Sequence, residues 1–319
     1  MIGKMPRSTA DTTGLLLPPG THGGDGARVA VALGLDPASM IDLSASMNPF
    51  APDVAALLSD SLRNDGSAVH RYPDATPATA ALAAAIGVDP DRLVLTNGGA
   101  EAIALTAAHL EVGNVVEPEF SLYRRHLRVI DPTALRWRSN PSNPLGRLAD
   151  PGDAAGVWDE AFYPIASGQW TRGDTDAWRL GSLTKLWNCP GLRLGYVIAP
   201  TIEAAHDIRE RQPRWSVNGL ALAALPELLA VTDLSSWSAQ IAEHRGNLEA
   251  SLTALGFHAV ATDANWVLVT YPDLRAALAG HGVLVRDCST FGLADVHRVA
   301  LPGPNQLDAV LAAFAALRV

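Results

Sequence analysis

The chain has 319 residues, enough for about two domains, and with 48% apolar and 18% charged residues it can bury a large core. Its net charge of −9 argues against a general nucleic-acid or anionic-membrane binder, since both need a basic face, while leaving room for a local basic pocket. Two cysteines, Cys189 and Cys288, cannot build a disulfide framework or a four-thiolate zinc site, and they suit a reducing cytoplasm; the sequence offers no metal site as an expectation.

Residues 1–20 hold one short apolar run, Leu15 to Leu17, followed by Pro18 and Pro19. That run is too short for a secretory core and predicts an irregular tail. Apolar residues at helical spacing predict helices over 26–34, 52–63 and 77–86. Thr76-Pro77 opens the third of these and Gly87 closes it. A strand over 93–96 leads through Asn97, Gly98 and Gly99 into a helix over 100–110. A strand, a glycine pair and a helix start leave backbone N–H groups free for a phosphate, a device that nucleotide and methyl-donor folds also use.

Strands follow at 114–116, 134–137 and 155–158. After the first comes Glu117-Pro-Glu-Phe-Ser-Leu-Tyr123, where Phe120 is either a stacking platform or core. After the second, Asn140-Pro-Ser-Asn143-Pro-Leu-Gly146 is a turn that can present the Asn143 amide to a ring hydroxyl. The third ends in Asp159-Glu-Ala-Phe162, a carboxylate at a strand mouth. It could pair with a protonated pyridine nitrogen or simply cap a helix. Strands over 178–181 and 194–198 flank Ser182, Thr184, Lys185 and Arg193. A lysine in a glycine-flanked turn beside hydroxyls and an arginine can form an imine next to a bound phosphate, though most lysines between strands are merely surface groups.

Helices are predicted over 201–211, 216–230 and 235–255, then a strand over 265–270 and a helix over 273–280. Strands over 283–286 and 297–301 and a helix over 305–317 complete the chain. The apolar stretch 216–231 contains Asn218, Pro226 and Glu227 and is too short and interrupted to span a bilayer. Alternating strands and helices in the middle favour an α/β layer with a largely parallel sheet, and the last 85 residues read as a smaller α+β unit.

These pieces, in this order, resemble the pyridoxal-phosphate enzymes of the class I/II aminotransferase superfamily, fold type I, from about His22 to the C-terminus. The resemblance implies an α/β fold with helices on both faces of a mostly parallel sheet, in a large cofactor-binding domain over 46–230. A discontinuous small domain would join 1–45 to 231–319. It implies pyridoxal 5'-phosphate as cofactor, with Lys185 as the Schiff-base lysine and Asp159 as the partner of the pyridinium nitrogen. Gly98, Gly99, Ser182 and Arg193 would hold the phosphate, Asn143 the ring hydroxyl and Phe120 the ring face. Tyr72, in His70-Arg-Tyr-Pro-Asp74, would reach the cofactor phosphate of a partner subunit in a homodimer with shared sites. Arg298 would grip a substrate carboxylate.

Within the superfamily, His22-Gly-Gly-Asp25, Asp42-Leu-Ser-Ala-Ser-Met-Asn-Pro49 and Arg286-Asp-Cys-Ser-Thr-Phe-Gly-Leu293 resemble motifs of the threonine-phosphate decarboxylases of cobalamin synthesis. By that resemblance a substrate phosphate meets His22, Ser46 and Arg286. The implied reaction is decarboxylation of O-phospho-L-threonine to 1-aminopropan-2-ol phosphate. Two other readings are an aminotransferase for a phosphorylated or acidic amino acid, as in histidinol-phosphate aminotransferases, and a non-catalytic metabolite binder on the same fold. Ser46 stands where the decarboxylases usually carry Asn, and the spans from Phe120 to Asn143 and from Asn143 to Asp159 are short for the superfamily, as if a strand–helix unit were compressed.

Overall fold

The computed structural model describes residues 22–64 and 66–318, so the tail expected over residues 1–20 lies outside the described residues. The described strands are β1 (Ile41–Leu43), β2 (Leu93–Asn97), β3 (Val112–Val115), β4 (Val129–Ile130), β5 (Arg136–Ser139), β6 (Val157–Asp159), β7 (Trp178–Ser182), β8 (Leu194–Ile198), β9 (His258–Ala261), β10 (Trp266–Thr270), β11 (Val283–Asp287) and β12 (Val296–Ala300). They form a seven-stranded sheet in the order β2-β8-β7-β6-β5-β3-β4 and a five-stranded sheet in the order β1-β11-β12-β10-β9. In the larger sheet every pair from β7 outward to β4 is parallel, and β8 runs antiparallel to both β7 and β2. In the smaller sheet β1 joins β11 in parallel and the other pairs are antiparallel.

The alternation of side chains along β2 and β8 splits the core in two. Val94 and Val197 pack with Leu180 under the helices Gly99–Leu110 and Ile202–Arg211. Leu93, Leu95 and Ile198 pack on the other face with Leu82, Leu225 and Ile241, from the helices Thr76–Ile86, Gly219–Ala230 and Leu234–Ala254. Covering both faces is what a parallel sheet requires, and it explains why β8 is buried at every position. The helix Thr76–Ile86 ends as its sequence predicts: Gly87 takes φ +78° and its N–H closes on the Ala83 carbonyl at 2.9 Å.

The strands β1, β4 and β9 carry no prediction in the sequence, nor do the helical turns Leu122–His126, Tyr163–Ser167 and Leu183–Leu186. Each is too short for a periodic signal. The last of them corrects the setting of Lys185, which sits in one helical turn after β7 rather than in an open turn.

Between β5 and β6 the chain makes no helix, and residues 140–156 cross as an extended loop. Arg172 organises it. Its Nη2 donates to the carbonyls of Asp150 at 2.9 Å, Pro151 at 3.2 Å and Asp153 at 2.7 Å, and its guanidinium lies 4.7 Å from the centre of the buried Trp158 ring. Arg138 adds a second cation 5.6 Å from the same ring and pairs with Asp153 at 2.9 Å. Among the described residues no single helix is long and apolar enough to cross a membrane.

Candidate active site

A cavity of about 240 Å³ opens where the C-terminal ends of β5, β6 and β7 and the start of the helix Gly99–Leu110 face β11 and β12. Ligands of α/β sheets bind at this end of the strands. Ser139, Asp159 and Ser182, the last residues of β5, β6 and β7, line it, and so do Arg286 and Arg298 from the smaller sheet.

One end is built for an anion. Gly98 precedes the twelve-residue helix with φ +78°, and a Cβ there would lie 2.4 Å from Arg193 Nη2. Only glycine lets the guanidinium close over the free N–H groups of the helix start. Arg193 itself takes φ +56° and donates from Nη1 to the Pro190 carbonyl at 3.2 Å. Ser182 Oγ and Thr184 Oγ1 share a hydrogen bond of 2.8 Å on the same wall.

Lys185 is half-buried, with Nζ 5.8 Å from the centre of the Phe162 ring. Burial, then the charges of Arg298 and Arg193, bring its amine down to about 8 against the opposing pull of Asp159. Asp159 is buried. Its Oδ2 accepts from the Tyr123 hydroxyl at 2.7 Å and its Oδ1 accepts from Ala161 N–H at 3.0 Å. Burial raises its pKa, and those two donors together with the Lys185 charge oppose the rise. The Phe120 ring lies 5.5 Å from that of His22 and 5.9 Å, edge-on, from that of Tyr123.

Arg286 and Arg298 face each other in register on β11 and β12, and both are buried. Arg298 donates from Nη1 to Asn143 Oδ1 at 2.8 Å and from Nη2 to the Ser44 carbonyl at 3.3 Å, with its guanidinium 4.8 Å from the centre of the Trp266 ring. Burial brings it down to about 10. Arg286 donates from Nη2 to Thr290 Oγ1 at 2.9 Å and lies 5.5 Å from the centre of the Phe291 ring. His22 is exposed at the mouth, its pKa lowered by partial burial and then by the charges of Arg286, Arg125 and Lys185.

The structure thus gathers His22, Gly99, Phe120, Asn143, Asp159, Ser182, Lys185, Arg193, Arg286 and Arg298 around one cavity, with Gly98 against Arg193 behind it. Two expected residues are elsewhere. Ser46 is fully buried, and its Oγ finds no hydrogen-bond partner among the described residues. Asn48 pins this segment to the helical turn of Lys185, donating from N to the Lys185 carbonyl at 3.0 Å and from Nδ2 to the Leu186 carbonyl at 2.9 Å. The wall is lined instead by Ser44 and Ala45. Tyr72 is 77% exposed outside the cavity and stacks on Trp215, ring centres 4.4 Å apart.

The sequence reading missed Tyr123, Ser139 and Phe291. Tyr123 had a usable signal, because it lies three residues after Phe120 and one helical turn brings it under Asp159.

The residues fit pyridoxal 5'-phosphate. A glycine cradle that a Cβ would fill lies at the anionic end, an amine of lowered pKa in the middle, and a buried carboxylate aimed into the cavity beyond it. Fold and site together define a fold type I enzyme. Residues 137–314 match the family described as aminotransferase class I and II, and the chain belongs to that family. It is 28% identical to threonine-phosphate decarboxylase from Salmonella typhimurium, over 92% of this chain and 95% of the relative. It is also 28% identical to histidinol-phosphate aminotransferase 2 from Ralstonia nicotianae, over 90% of this chain and 91% of that one. The crystal structure of histidinol-phosphate aminotransferase from Sinorhizobium meliloti, in complex with pyridoxal-5'-phosphate, superposes with a TM-score of 0.75 at 15% identity over 98% of both chains.

Proposed function

We propose that the protein holds pyridoxal 5'-phosphate on Lys185 and decarboxylates O-phospho-L-threonine to 1-aminopropan-2-ol phosphate, a step of cobalamin synthesis. The observation that carries this reading is the pair of buried arginines, Arg286 and Arg298, facing one cavity with Lys185. A substrate that carries both a carboxylate and a dianionic phosphate needs two separate cations, and arginine suits the planar recognition of both. The 28% identity to a threonine-phosphate decarboxylase over nearly the whole chain is consistent with this substrate, and the equal identity to a histidinol-phosphate aminotransferase is what makes the aminotransferase reading the rival in the test.

Bound cofactor supplies an electron-accepting ring that takes up the pair left at Cα when carbon dioxide departs. The backbone of Gly98 and Gly99, Ser182, Thr184 and Arg193 bind its phosphate. Asp159, its carboxyl backed by the Tyr123 hydroxyl, would hold a proton on the ring nitrogen. The Asn143 amide oxygen accepts from Arg298, which leaves its NH2 group as the donor that would meet the ring hydroxyl. Phe120 covers one ring face. Arg298 would orient the carboxylate, Arg286 with His22 would bind the phosphate, and Lys185, as its ammonium, would supply the proton that Cα takes up in place of the lost carboxylate. We place the large domain at 46–230 and the small one in 1–45 with 231–319. The active unit is a homodimer in which the exposed Tyr72 reaches the neighbour's cofactor phosphate, in the cytoplasm.

The test is incubation of cofactor-loaded protein with O-phospho-L-threonine, with and without a 2-oxo acid, followed by mass spectrometry. The expected product is the amine phosphate, formed without an acceptor. Formation of a keto acid only when the 2-oxo acid is present makes the protein an aminotransferase instead. No turnover with bound cofactor makes it a binder on the same fold. Arg286→Ala should weaken O-phospho-threonine about 10–150-fold, the worth of a charge-assisted hydrogen bond, while sparing the weak binding of threonine. Arg298→Ala should weaken both, and equal losses for both ligands on Arg286→Ala would remove the phosphate role.

A further inference from the structure

We propose that Glu119 is a positioning residue that locks the Asn143 loop, and through it Arg298, by way of the Ser139 hydroxyl. The inference rests on the roles of Asn143 and Arg298 proposed above. Glu119 is only 4% exposed, an uncommon place for a carboxyl unless its oxygens are satisfied. Both of them accept from Ser139 N–H, at 3.1 and 3.3 Å, and Oε2 also accepts from the Ser139 hydroxyl. The same hydroxyl accepts from Asn143 N–H at 2.8 Å. Asn143 Oδ1 then accepts from Arg298 Nη1 at 2.8 Å. One chain of hydrogen bonds therefore runs from the segment after β3, across the end of β5, to β12 in the other sheet. Asn143 begins no helix or strand of its own, so this chain helps to fix where its amide points, beside the bond that Trp266 Nε1 donates to the neighbouring Pro144 carbonyl at 3.0 Å.

Glu119 also directly precedes Phe120, so one carboxyl ties the ring platform on one wall to the asparagine loop on another. Burial, with the nearby charge of Asp159, pushes Glu119 up to about 8 against the hydrogen bonds from Ser139 and Phe120. A hydroxyl or amide at position 119 would be easier to bury. The carboxyl matches the paired N–H and O–H donors of a single serine, which is why the arrangement reads as a relay and not as filler.

The experiment uses the full chain and pyridoxal 5'-phosphate, with variants Ser139→Ala, Glu119→Gln, Glu119→Ala and the Glu119→Ala/Ser139→Ala double. Cofactor affinity, the visible absorbance of bound cofactor, and KM separately from kcat for O-phospho-threonine are measured beside thermal stability. Each alanine single should weaken cofactor binding about 10-fold and raise KM with cofactor saturating. The double should be little worse than either single, because both break one chain. Glu119→Gln keeps an acceptor oxygen and should stay within about 3-fold of the parent. Additive losses, or singles that change only thermal stability, overturn the relay. If Glu119→Ala fails to fold, Ser139→Ala decides on the same readouts. Borohydride trapping of cofactor on Lys185 in the parent protein is the parallel control: its failure overturns the cofactor reading, whereas trapping with unaltered variants overturns the relay alone.

Discussion

Lys185 and Asp159 divide the electrostatic labour of the site between them. Burial works against charge on both, but Asp159 has a buried hydroxyl and a backbone N–H to keep it anionic, while Lys185 has Arg193 and Arg298 to make it less cationic. A neutral amine is the form that attacks an aldehyde, and a lysine brought to about 8 supplies far more of it at neutral pH than one at its ordinary 10.5. The rate of cofactor incorporation into apoprotein should therefore climb with pH up to about 8 and level off above it, as followed by absorbance. A rate still climbing steeply past pH 10 would mean an unperturbed lysine. Asp159→Asn should keep some cofactor yet lose about 10–150-fold in turnover, the value of one charge-assisted hydrogen bond. Near-normal kcat in that variant would take Asp159 away from the ring nitrogen.

At the scale of elements, the compressed stretch between β5 and β6 is where this chain solves a local problem. With no helix to cover Trp158, the guanidinium of Arg172 lies 4.7 Å from the indole centre and ties down three loop carbonyls. Arg172→Ala should cost at least about 2 kcal/mol in chemical denaturation, from lost charged hydrogen bonds and cation–π attraction, while Lys185 still traps cofactor. Arg172→Lys should rescue little, because a point charge cannot serve several carbonyls and lie flat on an indole. An unchanged denaturation midpoint would mean that the loop holds itself. Long elements such as Leu234–Ala254 and Thr76–Ile86 were legible in the sequence because periodicity and a glycine stop act within one segment. So was the Ser182–Arg193 stretch, whose residues meet locally between two paired strands. Other features were not legible. Whether Ser46 faces in or out is decided by Asn48 gripping the carbonyls of Lys185 and Leu186, more than a hundred residues away. The grip of Arg298 on Asn143 likewise exists only once the two sheets have docked.

For the whole molecule, the cavity lies between the two sheets, and the acids buried around it set a pH dependence of stability. Glu119 rises to about 8 and Glu160 to about 7, chiefly by burial, from an ordinary 4.5. The unfolded chain gives up these protons near pH 4.5 while the folded chain keeps them up to about 7 and about 8, so their contribution to stability falls as pH rises from about 4.5 to about 8. Denaturant midpoints of the apoprotein across that range should show the fall, and Glu119→Gln with Glu160→Gln should flatten it. A parent and a double variant with parallel profiles would mean that neither acid keeps its proton in the fold. The account stands most directly on one reaction. Purified protein is loaded with pyridoxal 5'-phosphate, reduced with borohydride, digested and mapped by mass spectrometry. The predicted result is the reduced cofactor fixed on Lys185 and absent from Lys185→Ala. Cofactor fixed on a different lysine, or none fixed at saturating cofactor, would contradict the account.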